Sequence, residues 1–312
     1  MKVLIITNGN IGRLPAFVSD QLDVLREYNN CKIRVFYRTG HGIVGYLKNL
    51  SRFKKEIIDF CPDVIHAHYG LTGLLANLQR KVPVVTTYHG SDIHSKGFLL
   101  YLSRISMKLS AHNIFVSKKL LKISNYKRSN SSIIPCGVDL NLFQMVDKIK
   151  ARKELGWKQD NQYILFAKSF DNKIKNYPLA KEAVEKLNNV VLVEFKGFTR
   201  DKVYLPINAS DCLLMTSLRE GSPGVVKEAL ACGTPVVSVD CGDVREIIGN
   251  TNGCYVTGYD ANEIAEKLKL ALEFKGKTSG RQRIIDLELS NDIIAERLIS
   301  IYKEVIQNNK KR

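Results

Sequence analysis

The segment from Leu218 to Pro235 holds residues whose types and spacing could do chemistry. Two glutamates, Glu220 and Glu228, flank a Gly-Ser-Pro-Gly turn that follows an apolar run. Each carboxylate can accept hydrogen bonds from a polar ligand. The alternative is a solvated helix residue at 228 and an idle loop charge at 220. A turn of this kind at a strand end counts against idle charge.

The same segment predicts a short helix over residues 223–232. Ser222 is a good N-cap, Pro223 suits the first helical position, and Gly233 suits a left-handed C-terminal cap before Pro235. The free N–H groups at the start of such a helix, with the positive end of its dipole, can bind phosphate or hydroxyl oxygens. We expect these amides to lie near Gly224, Val225 and Val226.

Two lysines that could bind an anionic group follow the first strand of the second half of the chain. Lys168 stands in the loop after that strand, and Lys175 stands at the start of the next helix. Either could also be an ordinary surface lysine. The loop after the first strand of the chain contains Gly12 and should supply backbone N–H groups near phosphates, although a glycine loop is a weak signal by itself.

Histidines are a third group of candidates. His89 follows an apolar run and should emerge at the carboxyl end of a strand, unless it is a core histidine with satisfied hydrogen bonds. His66 and His68 alternate on one strand, a spacing that also occurs in metallohydrolases. All six histidines lie at or before residue 112, however, and a metal barrel needs ligands from later strands. The sequence therefore predicts no metal site.

The elements that must position these residues follow an α/β pattern. Apolar, β-branched runs alternate with amphipathic stretches, which predicts parallel sheets covered by helices. The predicted strands are 2–7, 32–37, 63–67, 83–87, 113–116 and 132–134, then 162–167, 190–195, 211–215, 235–239 and 254–256. Between the two series lie a turn-rich segment at 135–139 and a stretch without strand signal at 144–160.

This pattern predicts two doubly wound, Rossmann-like domains that face a cleft. Residues 1–145 form the first and residues 146–312 the second, and the last helix is a candidate to pack back on the first domain. Ligands of such folds bind beyond the carboxyl ends of the strands. The candidate residues above lie in loops of that kind.

Composition and charge narrow the function classes. A chain of 312 residues that is 45% hydrophobic can bury a large core, which excludes disordered chains and mini-proteins. No apolar run approaches the roughly 20 residues of a membrane-spanning helix, and the first residues resemble a strand rather than a signal peptide, so we expect a cytoplasmic protein. Seven scattered cysteines without a C-x-x-C pair indicate neither a disulfide framework nor a zinc knuckle.

The net charge of +16 is concentrated in the first domain. Residues 1–145 hold 20 Lys and Arg against 8 Asp and Glu, whereas residues 146–312 hold 27 against 23. Such an excess favours an anionic partner: nucleic acid, an anionic membrane or a phosphorylated substrate. Basic stretches with apolar residues between them, at 46–55 and 98–109, are either core helices with a solvated face or interfacial helices that dock on the inner face of the cell membrane.

The order of several motifs resembles a known family. Glu220, seven intervening residues and Glu228 precede the run Ala-Cys-Gly-Thr-Pro-Val-Val, and further matching segments lie at 66–70, 87–92, 134–139 and 241–246. Over roughly residues 1–305 the sequence closely resembles family 4 of the retaining nucleotide-sugar glycosyltransferases, which have the two-domain GT-B fold.

The resemblance implies a retaining glycosyltransferase that moves a sugar from a UDP- or GDP-linked donor to a saccharide or lipid-linked saccharide, without a metal or other cofactor. His89 and Glu220 match the catalytic positions beside the donor sugar, and Glu228 matches the residue that holds the ribose hydroxyls. The other donor-binding positions that we carry over are Gly12, Lys168, Lys175, Gly221, Ser222, Pro223, Gly224 and Val225.

The chain departs from the family pattern at two places. The family usually has Gly-Arg where this chain has Ala167 and Lys168, and a lysine lacks the bidentate guanidinium. Relatives commonly carry a Gly-Gly pair in the loop of Gly12, where this chain has separated glycines.

Two rival functions are open to the sequence. A nucleic-acid-binding protein is one rival, but no zinc-finger, aromatic RNA-binding or basic-zipper pattern is present. A catalytically idle GT-B scaffold is the other, and the presence of His89, Glu220 and Glu228 together argues against it.

Overall fold

The structure, a computed structural model, describes residues 1–8, 14–27, 31–39 and 42–311. It divides into two compact units, one of Met1–Cys136 with Asn291–Arg312 and one of Gly137–Ser290. The domain boundary predicted from the sequence lies at 145–146, with the last helix in the second domain as a candidate to pack back on the first. The structure counts that helix in the first unit.

The first unit is built on a parallel sheet of six strands. These are β1 (Lys2–Asn8), β2 (Lys32–Arg38), β3 (Val64–His68), β4 (Val84–Tyr88), β5 (His112–Phe115) and β6 (Ser131–Ile133). Their order across the sheet is β2-β1-β3-β4-β5-β6, so strand addition reverses direction between β1 and β3. Both β3 and β4 are buried along their whole length, as expected for inner strands of a parallel sheet.

Helices follow these strands along the chain. They are α1 (Ala16–Glu27), α2 (Gly42–Phe60), α3 (Gly70–Asn77), α4 (Phe98–Leu109) and α5 (Lys118–Ser124). The side chain of Ser117 caps α5 by accepting a hydrogen bond from the amide of Leu120 at 3.2 Å.

The second unit repeats this architecture with five parallel strands. These are β7 (Gln162–Phe166), β8 (Val190–Glu194), β9 (Cys212–Met215), β10 (Val236–Val239) and β11 (Tyr255–Thr257). Their order is β11-β10-β9-β7-β8, with the reversal between β7 and β9. The helices are α6 (Lys148–Leu155), α7 (Tyr177–Val184), α8 (Tyr204–Ala209), α9 (Gly224–Ala231), α10 (Val244–Ile248), α11 (Ala261–Glu273) and α12 (Gly280–Asp286).

The last helix, α13 (Asn291–Lys310), belongs to the core of the first unit. Its Leu298 and Tyr302 pack in one apolar cluster with Val3 of β1, Val85 of β4 and Ile114 of β5. The helix therefore covers a face of the first sheet. No helix among the described residues combines the length and apolarity needed to cross a membrane.

The strand predictions are confirmed. Each of the predicted strands is present, with both ends within one residue of the predicted bounds. This agreement follows from the burial of the inner strands, since a strand covered on both faces is a continuous apolar run in the sequence.

Candidate active site

The reversal between β7 and β9 brings several candidate residues to one edge of the second sheet. Lys168 and Lys175 lie in the segment that follows β7, and Glu220 lies in the loop that follows β9. Because the strands are parallel, both loops leave the sheet at its carboxyl edge. We call residues 216–223, which join β9 to α9, the β9–α9 loop.

Helix α9 begins one residue later than predicted, and its cap differs from the prediction. Pro223 occupies the N-cap position in extended conformation, and no side chain caps the helix. The prediction of Ser222 as the N-cap is therefore wrong. The Ser222 hydroxyl is hydrogen-bonded instead to Lys227 and Asp243, two residues to which the sequence analysis gave no role.

The start of α9 keeps its backbone amides available. Gly224 and Val225 are partly exposed, and a Cβ built on Gly224 would approach only the Glu228 carboxylate, at 3.8 Å. The first amides of a helix have no partner inside the helix. At the other end Gly233 has φ +68°, the left-handed conformation predicted for it.

Glu220 forms an ion pair with Lys175. Each side chain is only about one-sixth exposed, at 17% and 16%, so the pair neutralises two largely buried charges. The pair is supported from behind, because the Thr216 hydroxyl donates to the carbonyls of Lys175 and Asn176 at 2.8 and 3.0 Å. The structure thus joins the candidate sugar-binding carboxylate to a candidate phosphate-binding ammonium.

Glu228 is paired with Arg200, which the sequence analysis missed. The guanidinium Nη1 lies 3.5 Å from the Glu228 carboxylate, and the guanidinium also lies over the ring of Phe143 at 5.0 Å. Arg200 stands in a one-turn 3-10 helix, Arg200–Lys202, in the segment after β8. A cation beyond the carboxyl end of a strand was the signal available in the sequence.

Lys168 is exposed in the loop after β7. Its carbonyl accepts a hydrogen bond from the amide of Phe195 at 3.2 Å, which fixes its backbone. No described side chain pairs with its ammonium group. Gly12, the remaining donor-binding candidate, lies outside the described residues.

The β9–α9 loop packs closely against the turn that follows β10. A Cβ on Gly242 would lie 2.9 Å from the carbonyl oxygen of Gly221 and 3.2 Å from Cβ of Glu220. Gly242 also has φ +62°, a conformation that other residues rarely adopt. Gly242 belongs to the matching segment at 241–246, and the structure shows why glycine is needed there.

His89 lies in the first unit, directly after β4. Its Nε2 is 3.0 Å from Nδ1 of His68, and its ring packs against those of Phe17 and Tyr69, at centroid distances of 4.4 and 5.0 Å. Burial lowers the pKa of His89 well below its usual value, and His68 lowers it further. A neutral ring is required here, because two imidazolium rings would place two donors face to face.

His66 and His68 belong to the same buried cluster. His66 hydrogen-bonds Tyr302 through Nδ1 and Thr87 through Nε2, at 2.6 and 2.7 Å. Burial lowers the pKa of His66 well below its usual value and that of His68 to about 3. Within the described ranges, no group of three or more His, Cys, Asp and Glu side chains is arranged to hold a metal ion.

Each half of the chain matches a glycosyltransferase family model. A family model described as Glycosyltransferase Family 4 matches residues 2–142, and one described as Glycosyl transferases group 1 matches residues 160–273. Between them the two models cover most of both units. The chain is a family 4 glycosyltransferase.

The relatives of this glycosyltransferase include bacterial proteins. It is 27% identical to TuaC of Bacillus subtilis, whose name links it to teichuronic acid biosynthesis, over 79% of this chain and 73% of TuaC. It is 26% identical to the N,N'-diacetylbacillosaminyl-diphospho-undecaprenol alpha-1,3-N-acetylgalactosaminyltransferase of Campylobacter jejuni, over 84% of this chain and 80% of that protein.

The fold of the glycosyltransferase is also that of solved structures. Anabaena Alr3699/HepE in complex with UDP superposes with a TM-score of 0.78 at 16% identity, covering 97% of this chain and all of that chain. The prediction of a GT-B fold built from two Rossmann-like parallel-sheet domains is confirmed.

The histidine cluster predicts that the stability of the glycosyltransferase depends on pH. The pKa of His68 is lowered to about 3 in the folded state, whereas in the unfolded state it is about 6.5. The histidine therefore contributes fully to stability above about pH 6.5, and this contribution is lost as the pH falls towards about 3. One such histidine changes the free energy of unfolding by up to about 1.4 kcal/mol per pH unit. Asp92, whose pKa burial raises to about 6, acts in the opposite direction between about pH 4 and 6.

The measurement is denaturant unfolding, followed by circular dichroism, from pH 7.5 down to pH 4.5. His68→Asn retains a polar group near the position of Nδ1 but does not titrate, so we expect a shallower loss of stability than in the parent protein. His94→Asn, outside the cluster, is the matched control and should follow the parent. Parallel curves for His68→Asn and the parent would show that His68 is not held neutral.

Proposed function

We propose that this family 4 glycosyltransferase transfers a sugar from a nucleoside diphosphate donor to a saccharide or lipid-linked saccharide, with retention of anomeric configuration. The observation that carries the proposal is the convergence of an uncapped helix start, two paired glutamates and two lysines at the carboxyl edge of the second sheet. A nucleoside diphosphate sugar offers matching groups: a diphosphate for the amides and lysines, and hydroxyls for the carboxylates.

The roles follow from chemistry and position. The amides at the start of α9, together with Lys168 and Lys175, would stabilise negative charge on the departing diphosphate, an electrostatic effect that can supply several kcal/mol. The Glu228 carboxylate would accept hydrogen bonds from the ribose hydroxyls, and Glu220 would face the donor sugar. His89, held neutral, would contribute a hydrogen bond rather than a positive charge.

The mechanism that suits these groups is departure of the diphosphate from the face on which the acceptor attacks. It needs no protein nucleophile. The lysines and amides take the part that a divalent cation plays elsewhere, so we propose that neither a metal nor another cofactor is required. UDP and GDP are both candidates for the nucleotide, and the complex of Alr3699/HepE with UDP makes UDP the first to test.

The acceptor is proposed from charge and from relatives. The name of the Campylobacter jejuni relative describes transfer to a saccharide on diphospho-undecaprenol. A lipid-linked saccharide with a diphosphate would suit the basic first unit, in which Lys and Arg far outnumber Asp and Glu. Nucleic acid is not part of the proposal.

A transfer assay tests the proposed reaction. Membrane lipid-linked saccharides are incubated with a UDP-sugar or GDP-sugar, in one arm with EDTA, and the new linkage is assigned by NMR. We expect transfer at an undiminished rate in EDTA and a product with the anomeric configuration of the donor. An inverted product would exclude the retaining mechanism, activity that returns only with Mn²⁺ would exclude metal independence, and an idle scaffold would transfer nothing from any donor.

Helix α4 supports a further part of the proposal, attachment of the first unit to the inner face of the cell membrane from the cytoplasm. Phe98, Leu99 and Tyr101 are each at least half exposed, and the exposed Arg104 and Lys108 follow them on the same helix. Exposed apolar residues beside cations suit an anionic bilayer surface. The other basic stretch, 46–55, lies in α2, where Phe53 is fully buried against Phe36.

Cosedimentation with vesicles tests this attachment. Each cation near an anionic surface contributes about 1 kcal/mol, so Arg104→Gln with Lys108→Gln should weaken binding to phosphatidylglycerol vesicles by roughly 10- to 30-fold. Binding should also fall with added salt. Lys267→Gln with Lys269→Gln in α11 is the control. If the parent protein stays in the supernatant at low salt, the attachment is contradicted and α4 is a solvated helix. If the protein instead pellets with DNA cellulose, a nucleic-acid partner is favoured.

A further inference from the structure

Lys227 is a charged residue in the interior of the second unit. It lies in α9, one residue before Glu228, and its side chain is completely buried. Its helical neighbours Val226 and Ala229 are buried apolar residues of the unit's core. An ammonium group in such surroundings is costly unless it is paired, and an apolar side chain of similar size would often serve stability as well or better.

Lys227 is linked to two loops through the hydroxyl of Ser222. Its Nζ donates to Oγ of Ser222 at 2.6 Å, and the Ser222 hydroxyl donates to Oδ2 of Asp243 at 2.5 Å. Ser222 is in the β9–α9 loop, whereas Asp243 follows β10. The hydroxyl thus stands between an ammonium and a carboxylate, each of which is at least nine-tenths buried.

The Lys227–Ser222–Asp243 chain reinforces a close backbone contact. Gly221 and Gly242 approach so closely that Gly242 has no room for a side chain. The β9–α9 loop is therefore held from two sides, by the turn after β10 and by α9 itself. Glu220, whose Cβ lies against the same turn, is fixed by this arrangement.

We propose that Lys227 is a positioning residue for the donor site: through Ser222 and Asp243 it holds Gly221 and Glu220 in the place where the donor sugar binds. This inference rests on the proposed function. Lys227 is not itself a ligand for the donor, since its ammonium is enclosed. The amides of α9 are ordered by the helix itself and depend less on the Lys227–Ser222–Asp243 hydrogen bonds. Lys227 should therefore affect sugar transfer more than binding of the diphosphate.

The test uses a charge-balanced variant. Lys227→Met alone would leave the Asp243 carboxylate buried beside a hydroxyl and could prevent folding, so Lys227→Met is combined with Asp243→Asn. Lys269→Met, on the exposed face of α11, is the control. Hydrogen exchange of the ligand-free proteins reports the order of the β9–α9 loop directly. We expect the amides of residues 218–222 to exchange at least 10-fold faster in the double variant, with no change in the control.

Kinetics then separates positioning from stability. The double variant should retain the parent's affinity for UDP or GDP within about 3-fold, while its kcat falls by 10- to 100-fold. The inference would be overturned by parent-like exchange, or by faster exchange with a parent-like kcat. Lys227, Ser222 and Asp243 would then form only an internal charge pair without a role in positioning the donor. A parent protein that binds neither nucleotide would overturn the proposed function and this inference with it, whereas a parent that binds and a double variant that turns over normally would overturn only the inference.

Discussion

The reversal of strand order between β7 and β9 is the constraint on which the candidate donor site depends. Two parallel neighbours leave the sheet at the same edge, and their connections run in opposite directions, so a crevice opens between the two loops. Lys175 enters this crevice from the β7 side and Glu220 from the β9 side. The ion pair between them exists because the sheet topology brings together residues that are 45 positions apart in the chain.

The two units accommodate buried titratable groups in different ways. In the second unit the buried charges are compensated, by an ion pair between Lys175 and Glu220 and by a hydroxyl between Lys227 and Asp243. In the first unit burial keeps His66 and His68 neutral instead, and hydrogen bonds satisfy them. The second unit therefore keeps paired ionised groups in its interior, whereas the first unit keeps neutral histidines near its strand ends.

Much of this architecture could be predicted from the sequence because it depends on periodicity. The buried strands and the C-terminal glycine of α9 have local signals, and the motif spacing singled out Glu220 and Glu228. The pairing of those glutamates had no local signal, since Lys175 and Arg200 are distant in sequence from them. Ser222 was misassigned because a serine before a proline resembles an N-cap. Only the fold reveals that its hydroxyl accepts a hydrogen bond from Lys227 and donates one to Asp243. The place of α13 in the first unit likewise depends on tertiary packing.

The most direct test of the account is where a bare nucleoside diphosphate binds. UDP and GDP are titrated calorimetrically into the parent protein, Glu228→Gln, Glu220→Gln and the exposed control Glu182→Gln. Loss of a charge-assisted hydrogen bond costs roughly 1.5–3 kcal/mol, so Glu228→Gln should bind about 10- to 150-fold more weakly. Glu220→Gln removes a negative charge beside Lys175 and should bind as well as the parent or better. Parent-like binding by Glu228→Gln, or no binding of either nucleotide to the parent, would contradict a donor site at the start of α9.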